Sequence, residues 1–188
     1  YMGDLHGSLW RLQFSGKPTA DWNMDTLSFF NKGTATSPIP YPLYIARTGD
    51  ATPKIQPIVA APTPFVGPKV GGVESFYVAI GTGKYLESGD NISTTQQSFY
   101  VVYDNGSTAA DSSPIASAIS GRGRLAAGTV NTTTRTVTVS AFKWGRPASN
   151  TDTKRRAGWY FDLPDSGERI DQAALNVGTL YAAVNSTI

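Results

Sequence analysis

The sequence predicts an all-β chain, and three observations carry that reading. Apolar residues alternate with polar ones at a two-residue period in several runs, as they do on a half-buried strand. No stretch sustains an apolar period of 3.6 residues over helical length. Gly 19 and Pro 12 make up about a sixth of the 188 residues, against an average nearer about 12%, so turns are frequent.

Strand-like runs lie at 8–14, 55–60, 74–81, 97–104, 124–130, 135–142, 158–163 and 178–184. The first follows a Gly3-Asp4 turn and its alternation puts Trp10, Leu12 and Phe14 on one face. A strand so close to residue 1 lacks the lead-in of a natural domain start, which predicts a piece of something larger. The run 135–142 sets Val137, Val139 and Ala141 against Thr136, Thr138 and Ser140, the pattern of a strand with one wet face. The segments 15–54, 105–121 and 144–156 exceed ordinary hairpin connections and read as insertions on an antiparallel scaffold. Short antiparallel strands with aromatic punctuation and Gly-bounded ends fit the blades of a β-propeller, although a sandwich produces a similar string. About eight strands make about two four-stranded blades, where a closed ring takes about four to eight. The expectation is therefore an arc of an incomplete β-propeller, with residues 1–188 forming one elaborated part of it.

Composition narrows the function. The chain has Cys 0 and His 1, which removes disulfides, thiol nucleophiles and thiolate metal sites. A zinc site or a Ser-His-Asp triad would have to pass through His6, which reads as a turn residue beside Gly7. The formal net charge of +2 is scattered, leaving no electrostatic footprint for nucleic acid. Neither a signal peptide nor an apolar run long enough to cross a bilayer is present.

Each motif has a plain structural reading. In Gly81-Thr-Gly83-Lys84 the Walker pattern fails, because Val78 and Tyr85 stand where it needs Gly and Ser or Thr. Gly121-Arg-Gly123-Arg-Leu-Ala126 fits a relaxed dinucleotide fingerprint but leads into a strand pattern where a helix is required. Asp21-Trp-Asn23-Met-Asp25 begins like a calcium loop and lacks the later carboxylate and turn glycine, so a polar turn is favoured. Gly89-Asp90-Asn91 and Asp104-Asn105-Gly106 are turn signals. Asp162, Asp165 and Glu168 could suggest a glycosidase pair, but Pro164 and Gly167 place them around a turn. Lys154-Arg155-Arg156 reads as a solvated charge run. Trp10, Trp22, Trp144 and Trp159 read as core and inter-blade packing.

Four segments carry a more specific signal together. They are Tyr1-Met-Gly-Asp-Leu-His-Gly-Ser-Leu-Trp-Arg11, Ile80-Gly-Thr-Gly-Lys-Tyr-Leu-Glu-Ser-Gly-Asp90, Gln97-Ser-Phe-Tyr-Val-Val-Tyr-Asp-Asn-Gly106 and Gly158-Trp-Tyr-Phe-Asp-Leu-Pro-Asp-Ser-Gly-Glu-Arg169. In order and spacing they resemble the C-terminal propeller of the PilY1/PilC family of type IV pilus biogenesis and tip-associated proteins, across nearly the whole chain. The positions carrying the resemblance are Gly3, Asp4, Gly7, Trp10, Gly81, Gly83, Tyr85, Phe99, Tyr100, Gly158, Trp159, Tyr160, Asp162, Pro164, Gly167, Glu168 and Arg169. All are expected to be structural.

The resemblance implies a quinoprotein-like propeller and a non-enzymatic scaffold that is exported by a Gram-negative bacterium. It further implies a place at the pilus tip or outer membrane, support of pilus extension over retraction, and roles in adhesion, surface sensing and twitching motility. Minor pilins and a host receptor or glycan are the implied partners. The family's calcium loop would precede Tyr1, so no metal ligand or other cofactor is assigned here, and Asp4 matches the turn after that loop. Further propeller sequence is expected after Ile188, and an isolated arc would expose two sheet edges and be poorly soluble or pair edge to edge. The alternatives are part of a quinone-dependent (PQQ) dehydrogenase propeller and a carbohydrate-binding propeller.

Overall fold

The structure, a computed structural model, describes residues 1–70, 72, 74–104, 119, 121–145, 154–176, 182–183 and 186–187. Apart from a four-residue helix at Met24–Leu27 and three short 3-10 turns, its regular elements are strands. In chain order they are β1 (Met2–Gly3), β2 (Ser8–Trp10), β3 (Tyr44–Ile45), β4 (Thr63–Val66), β5 (Phe76–Gly81), β6 (Ser98–Asp104), β7 (Ala126–Asn131), β8 (Thr136–Val139), β9 (Lys143–Trp144), β10 (Arg155–Arg156), β11 (Gly158–Asp162), β12 (Leu175–Asn176) and β13 (Ala182–Ala183). The all-β expectation holds. No helix among the described residues is long and apolar enough to cross a membrane.

The main sheet has six strands in the order β4-β5-β6-β11-β7-β8. Every neighbouring pair is antiparallel except β11 with β7, which run parallel with Trp159 opposite Ala126. Strands β1, β2 and β3 form a small antiparallel sheet, and β9–β10 and β12–β13 are two-stranded pairs. The described strands thus do not divide into two four-stranded antiparallel units. Strand β11 lies between β6 and β7, antiparallel to the first and parallel to the second.

Strands β5 and β6 are apolar on both sides because both of their faces are covered. Val78, Ile80, Tyr100 and Val102 face a core shared with Leu9, Phe30, Leu43, Tyr44 and Ile58. Tyr77, Ala79, Phe99, Val101 and Tyr103 face a second core with Leu163, Ile170 and Ala174. Each fully buried large side chain here is worth about 1.5–3 kcal/mol of hydrophobic stabilisation. A strand covered on both faces loses its alternation, which explains the continuous apolar run Phe99-Tyr-Val-Val-Tyr103.

Several local expectations change. The first strand ends at Trp10, and its buried apolar residue is Leu9, beside buried Ser8, rather than the set Trp10, Leu12 and Phe14. Leu12 makes only an isolated bridge to Ser28, while Phe14 is exposed and packs edge-on against Trp22 at 5.0 Å. Trp22 is itself exposed and so lies outside the core. The run 55–60 is no strand and contributes single bridges from Ile55 to Arg47 and from Ile58 to Gly83. Strand β8 is wet on both faces, with Val137 exposed, because it lies at the outer end of the sheet beyond either core. The turns Asn105-Gly106 and most of 178–184 fall outside the described residues.

Two glycines permit close approaches, one inside the main sheet and one just beyond the end of β5. Gly158 has φ +148, and a Cβ on it would lie 2.1 Å from the Val101 carbonyl oxygen of β6. Gly83 has φ +124, and its Cβ would lie 2.4 Å from that of Arg169. Backbone strain and overpacking combine at such a site, so Gly158→Ala is expected to cost about 3 kcal/mol. Gly89→Ala, where no atom lies within 4 Å of the added carbon, should stay within about 0.5 kcal/mol. Denaturant midpoints of the two variants measure the difference.

Candidate functional site

The first resembling segment folds as a tight turn around one carboxylate. Asp4 Oδ1 accepts from the His6 and Ser8 amides, each at 2.8 Å, and Oδ2 accepts from the Trp10 indole at 2.8 Å. This is an aspartate bonding its own downstream backbone, as turn aspartates do. His6 sits exposed in that turn beside buried Gly7, and Gly3 lies in β1 against Ile58. Burial alone would raise the Asp4 carboxyl, but the hydrogen bonds from Trp10, Ser8 and His6 together hold it below its ordinary 3.8.

The other three segments are neighbouring strands and their connections. Gly81 ends β5, Phe99 and Tyr100 lie in β6, and Gly158, Trp159, Tyr160 and Asp162 lie in β11, with Tyr160 opposite Tyr100 and Phe161 opposite Phe99. Trp159 packs against Phe99 with the rings tilted and 5.7 Å apart, and Trp144 meets Tyr77 edge-on at 4.5 Å. Beyond β11, Pro164 and Gly167 shape a turn in which Glu168 Oε2 accepts from the Asp165 amide and Oε1 accepts from Ser186. Asp162, Asp165 and Glu168 therefore point to separate structural partners rather than to a common reacting bond.

Sequence reasoning missed the residue that joins these strands. Arg122 stands in a 3-10 turn immediately before β7, within the Gly-Arg-Gly-Arg run. Its Nη2 lies 2.9 Å from Asp162 Oδ1, 2.7 Å from Ser98 Oγ and 2.8 Å from the Tyr100 hydroxyl, while Nε donates to the Arg47 carbonyl at 2.6 Å. The guanidinium stacks 4.4 Å from the Tyr160 ring centroid. Gln56, fully buried, donates to Ser98 Oγ and the Gln96 carbonyl and accepts from Arg122 and Tyr100. Burial by itself would weaken the arginine's hold on its proton, but the bond to Asp162 and the neighbouring Tyr100 strengthen it. A second such pair joins Arg11 to the buried Asp104 at 3.0 Å, where Tyr1 also donates to Asp104 at 2.6 Å. The only sequence signal for either pair was a charged residue next to an apolar run.

The four resembling segments converge on a cleft of about 270 Å³. Leu5 comes from the first, Gly83, Lys84 and Asp90 from the second, Gln97 from the third, and Gly167 and Arg169 from the fourth. Ile55, Pro57, Ser93 and Thr95 complete it. Lys84 Nζ pairs with Glu87 at 3.0 Å and Asp90 at 3.2 Å. Asp90 Oδ2 accepts from the Leu86 and Glu87 amides, and these bonds, ahead of the pairing with Lys84, hold its carboxyl down. Arg169 donates to the carbonyls of Gly167, Lys84 and Asp90, with Tyr85 5.3 Å away. Gly81-Thr-Gly83-Lys84 is accordingly a packing element. Ile170 donates to the Thr82 carbonyl where the two glycines admit it, and the lysine is held by carboxylates.

The calcium that the resemblance implies for the family finds no fitting donor set among the described residues. No three His, Asp or Glu side chains among the described residues are grouped to hold an ion. Asn23 caps the short helix by accepting from the Asp25 and Thr26 amides, and both Asp4 oxygens face N–H donors.

Arg122→Met should cost about 2–4 kcal/mol by leaving bonds to buried acceptors unmade. Asp162→Asn should cost about 1 kcal/mol or less, since that side chain is 43% exposed and solvent already screens it. Urea titrations of both variants give the comparison. The depressed Asp4 and Asp90 carboxyls add stability that is present above their ordinary 3.8 and lost as pH falls through their lower folded values. Melting temperature should therefore drop on acidification below about pH 4, and drop less steeply in Asp4→Asn.

No family model matches the chain. A curated relative, the type IV pilus biogenesis factor PilY1 homolog of Xylella fastidiosa (strain Temecula1), is 30% identical over 175 residues, which cover 89% of this chain and 10% of the relative. The crystal structure of the Pseudomonas aeruginosa PilY1 C-terminal domain matches with a TM-score of 0.56 and 27% identity, over 92% of this chain and 38% of that one. The chain thus spans about a tenth of the curated relative's length. Sequence and fold agree, and the chain is homologous to part of the PilY1-type type IV pilus biogenesis proteins.

Proposed function

We propose that this chain is a non-enzymatic scaffold of a type IV pilus biogenesis protein, forming part of a C-terminal β-propeller that supports pilus extension over retraction. The observation that carries the proposal is the agreement of sequence and fold with PilY1 over about nine-tenths of the chain. The chemistry of the resembling segments supports it, since Asp4, Asp90, Asp162 and Glu168 each bond internal donors, as supports of a fold do. In this reading the protein acts at the pilus tip or outer membrane, contacts minor pilins, and contributes to adhesion and surface sensing. Calcium regulation is assigned to sequence preceding Tyr1.

Deleting residues 1–188 from the full-length protein tests the reading. Surface pili, counted by electron microscopy, should be lost in cells able to retract them and should recover when the retraction motor is also removed. Unchanged piliation in the retraction-competent strain would sink the proposal.

A further inference from the structure

The small sheet of β1, β2 and β3 has one face on the core and the other largely open to solvent. Directly paired residues of antiparallel strands carry their side chains on the same side, and successive residues of a strand face opposite ways. Met2 lies opposite Trp10, Ser8 opposite Ile45, and Leu9 opposite Tyr44. An isolated antiparallel bridge from Arg47 to Ile55 extends the sheet by one more position. Leu9, Tyr44, Ala46 and Gln56 therefore share the inner face, each at most 1% exposed. Met2, Trp10, Ile45 and Ile55 share the outer one, where Met2 is 42%, Ile45 39% and Ile55 44% exposed.

A sheet that is apolar on both faces is ordinarily covered on both, as β5 and β6 are here. The charged member of the outer face, Arg47, is turned aside to donate to the His6 carbonyl, which leaves the apolar side chains adjacent. Rows of side chains on such a face interdigitate best with a second sheet, laid about 10 Å away.

Size decides where that second sheet comes from. Four strand positions about 4.8 Å apart and about three residues long make a face of about 200 Å². A stable interface between separate molecules buries about 800 Å² on each. A second copy or a foreign protein would gain too little here to offset its lost translational freedom, whereas a segment of the same polypeptide is held at high effective concentration. In the solved PilY1 C-terminal domain the matching span is 38% of the chain, so most of that domain lies outside it.

We propose that the outer face of the β1–β3 sheet packs against a β-sheet formed by the same polypeptide outside residues 1–188, with Met2, Trp10, Ile45 and Ile55 as its contact surface. The proposal rests on the reading of this chain as part of a larger propeller.

Thiol labelling of the purified full-length protein tests it. Residues 1–188 contain Cys 0, so label mapped to this segment by mass spectrometry reports an introduced thiol alone. Ile45→Cys should react with a maleimide about a hundredfold or more slowly when folded than when unfolded in urea, because reaction waits on local opening. The protection should persist in a monomer, sized by light scattering, on hundredfold dilution. Met2→Cys reads the same face if the first variant fails to fold. Weaker protection at both positions would overturn the proposal. Protection lost on dilution would assign a second copy, and protection seen only in intact cells would assign a separate partner; either overturns it. Piliation of the deletion strain reads the pilus assignment separately, so lost pili with a reactive Ile45→Cys thiol would remove this proposal and leave that assignment standing.

Discussion

The described fold hangs on the guanidinium of Arg122. It sits against the ring of Tyr160 and bonds to Ser98, Tyr100, Asp162 and the carbonyl of Arg47. Those groups come from β6, from β11 and from the segment that follows β3, so one side chain joins strands that are distant in sequence. Ser98 and Tyr100 are fully buried, so an apolar residue in place of the guanidinium would leave their oxygens short of a donor. Exchanging a largely buried ion pair as a whole for well-packed apolar residues is often near neutral in net energy, whereas removing the arginine alone strands its acceptors. What it contributes is geometry, since its planar fork accepts few arrangements of its neighbours. Gln56 and Ser98 extend that constraint by bonding each other and the same guanidinium.

Around this polar centre the sheet is unusually closed. Strands β5 and β6 are buried on both faces, and β11 approaches β6 so closely that residue 158 has no room for a side chain. The polar hub and the close backbone contact reinforce one another. Tyr160 and Asp162, which hold Arg122, belong to the strand that the close approach positions. Removing either support shifts the other, so their effects on stability should couple rather than add.

Much of this was legible in the residues, and the exceptions have physical reasons. The strands at 74–81, 97–104 and 158–163 were readable because β-branched and aromatic residues cluster there between turn signals. Strands β1, β3, β9 and β10 were not, since two-residue pairings depend on tertiary neighbours and leave no periodic trace. The phase of the first strand was misread because Trp10 and Phe14 are apolar by type, yet only Leu9 meets the core. The order of strands in the sheet was hidden for a similar reason: nothing local distinguishes a strand that pairs with its sequence neighbour from one that inserts between earlier partners. The glycines of the second segment were legible as unlike a nucleotide loop, and the structure supplied their actual use in admitting Arg169 and Ile170. Arg122 was hidden inside a motif read for its glycines.

The insertion of β11 between β6 and β7 has a consequence for the order in which the molecule can be made. Strands β7 and β8 leave the ribosome first, and among the described strands their link to the sheet is β11, which follows about thirty residues later. Until residues 158–162 arrive, the β7–β8 hairpin is a two-stranded ribbon with little core of its own, and such ribbons are marginal in water. A late strand that completes an earlier one makes folding non-local and slow.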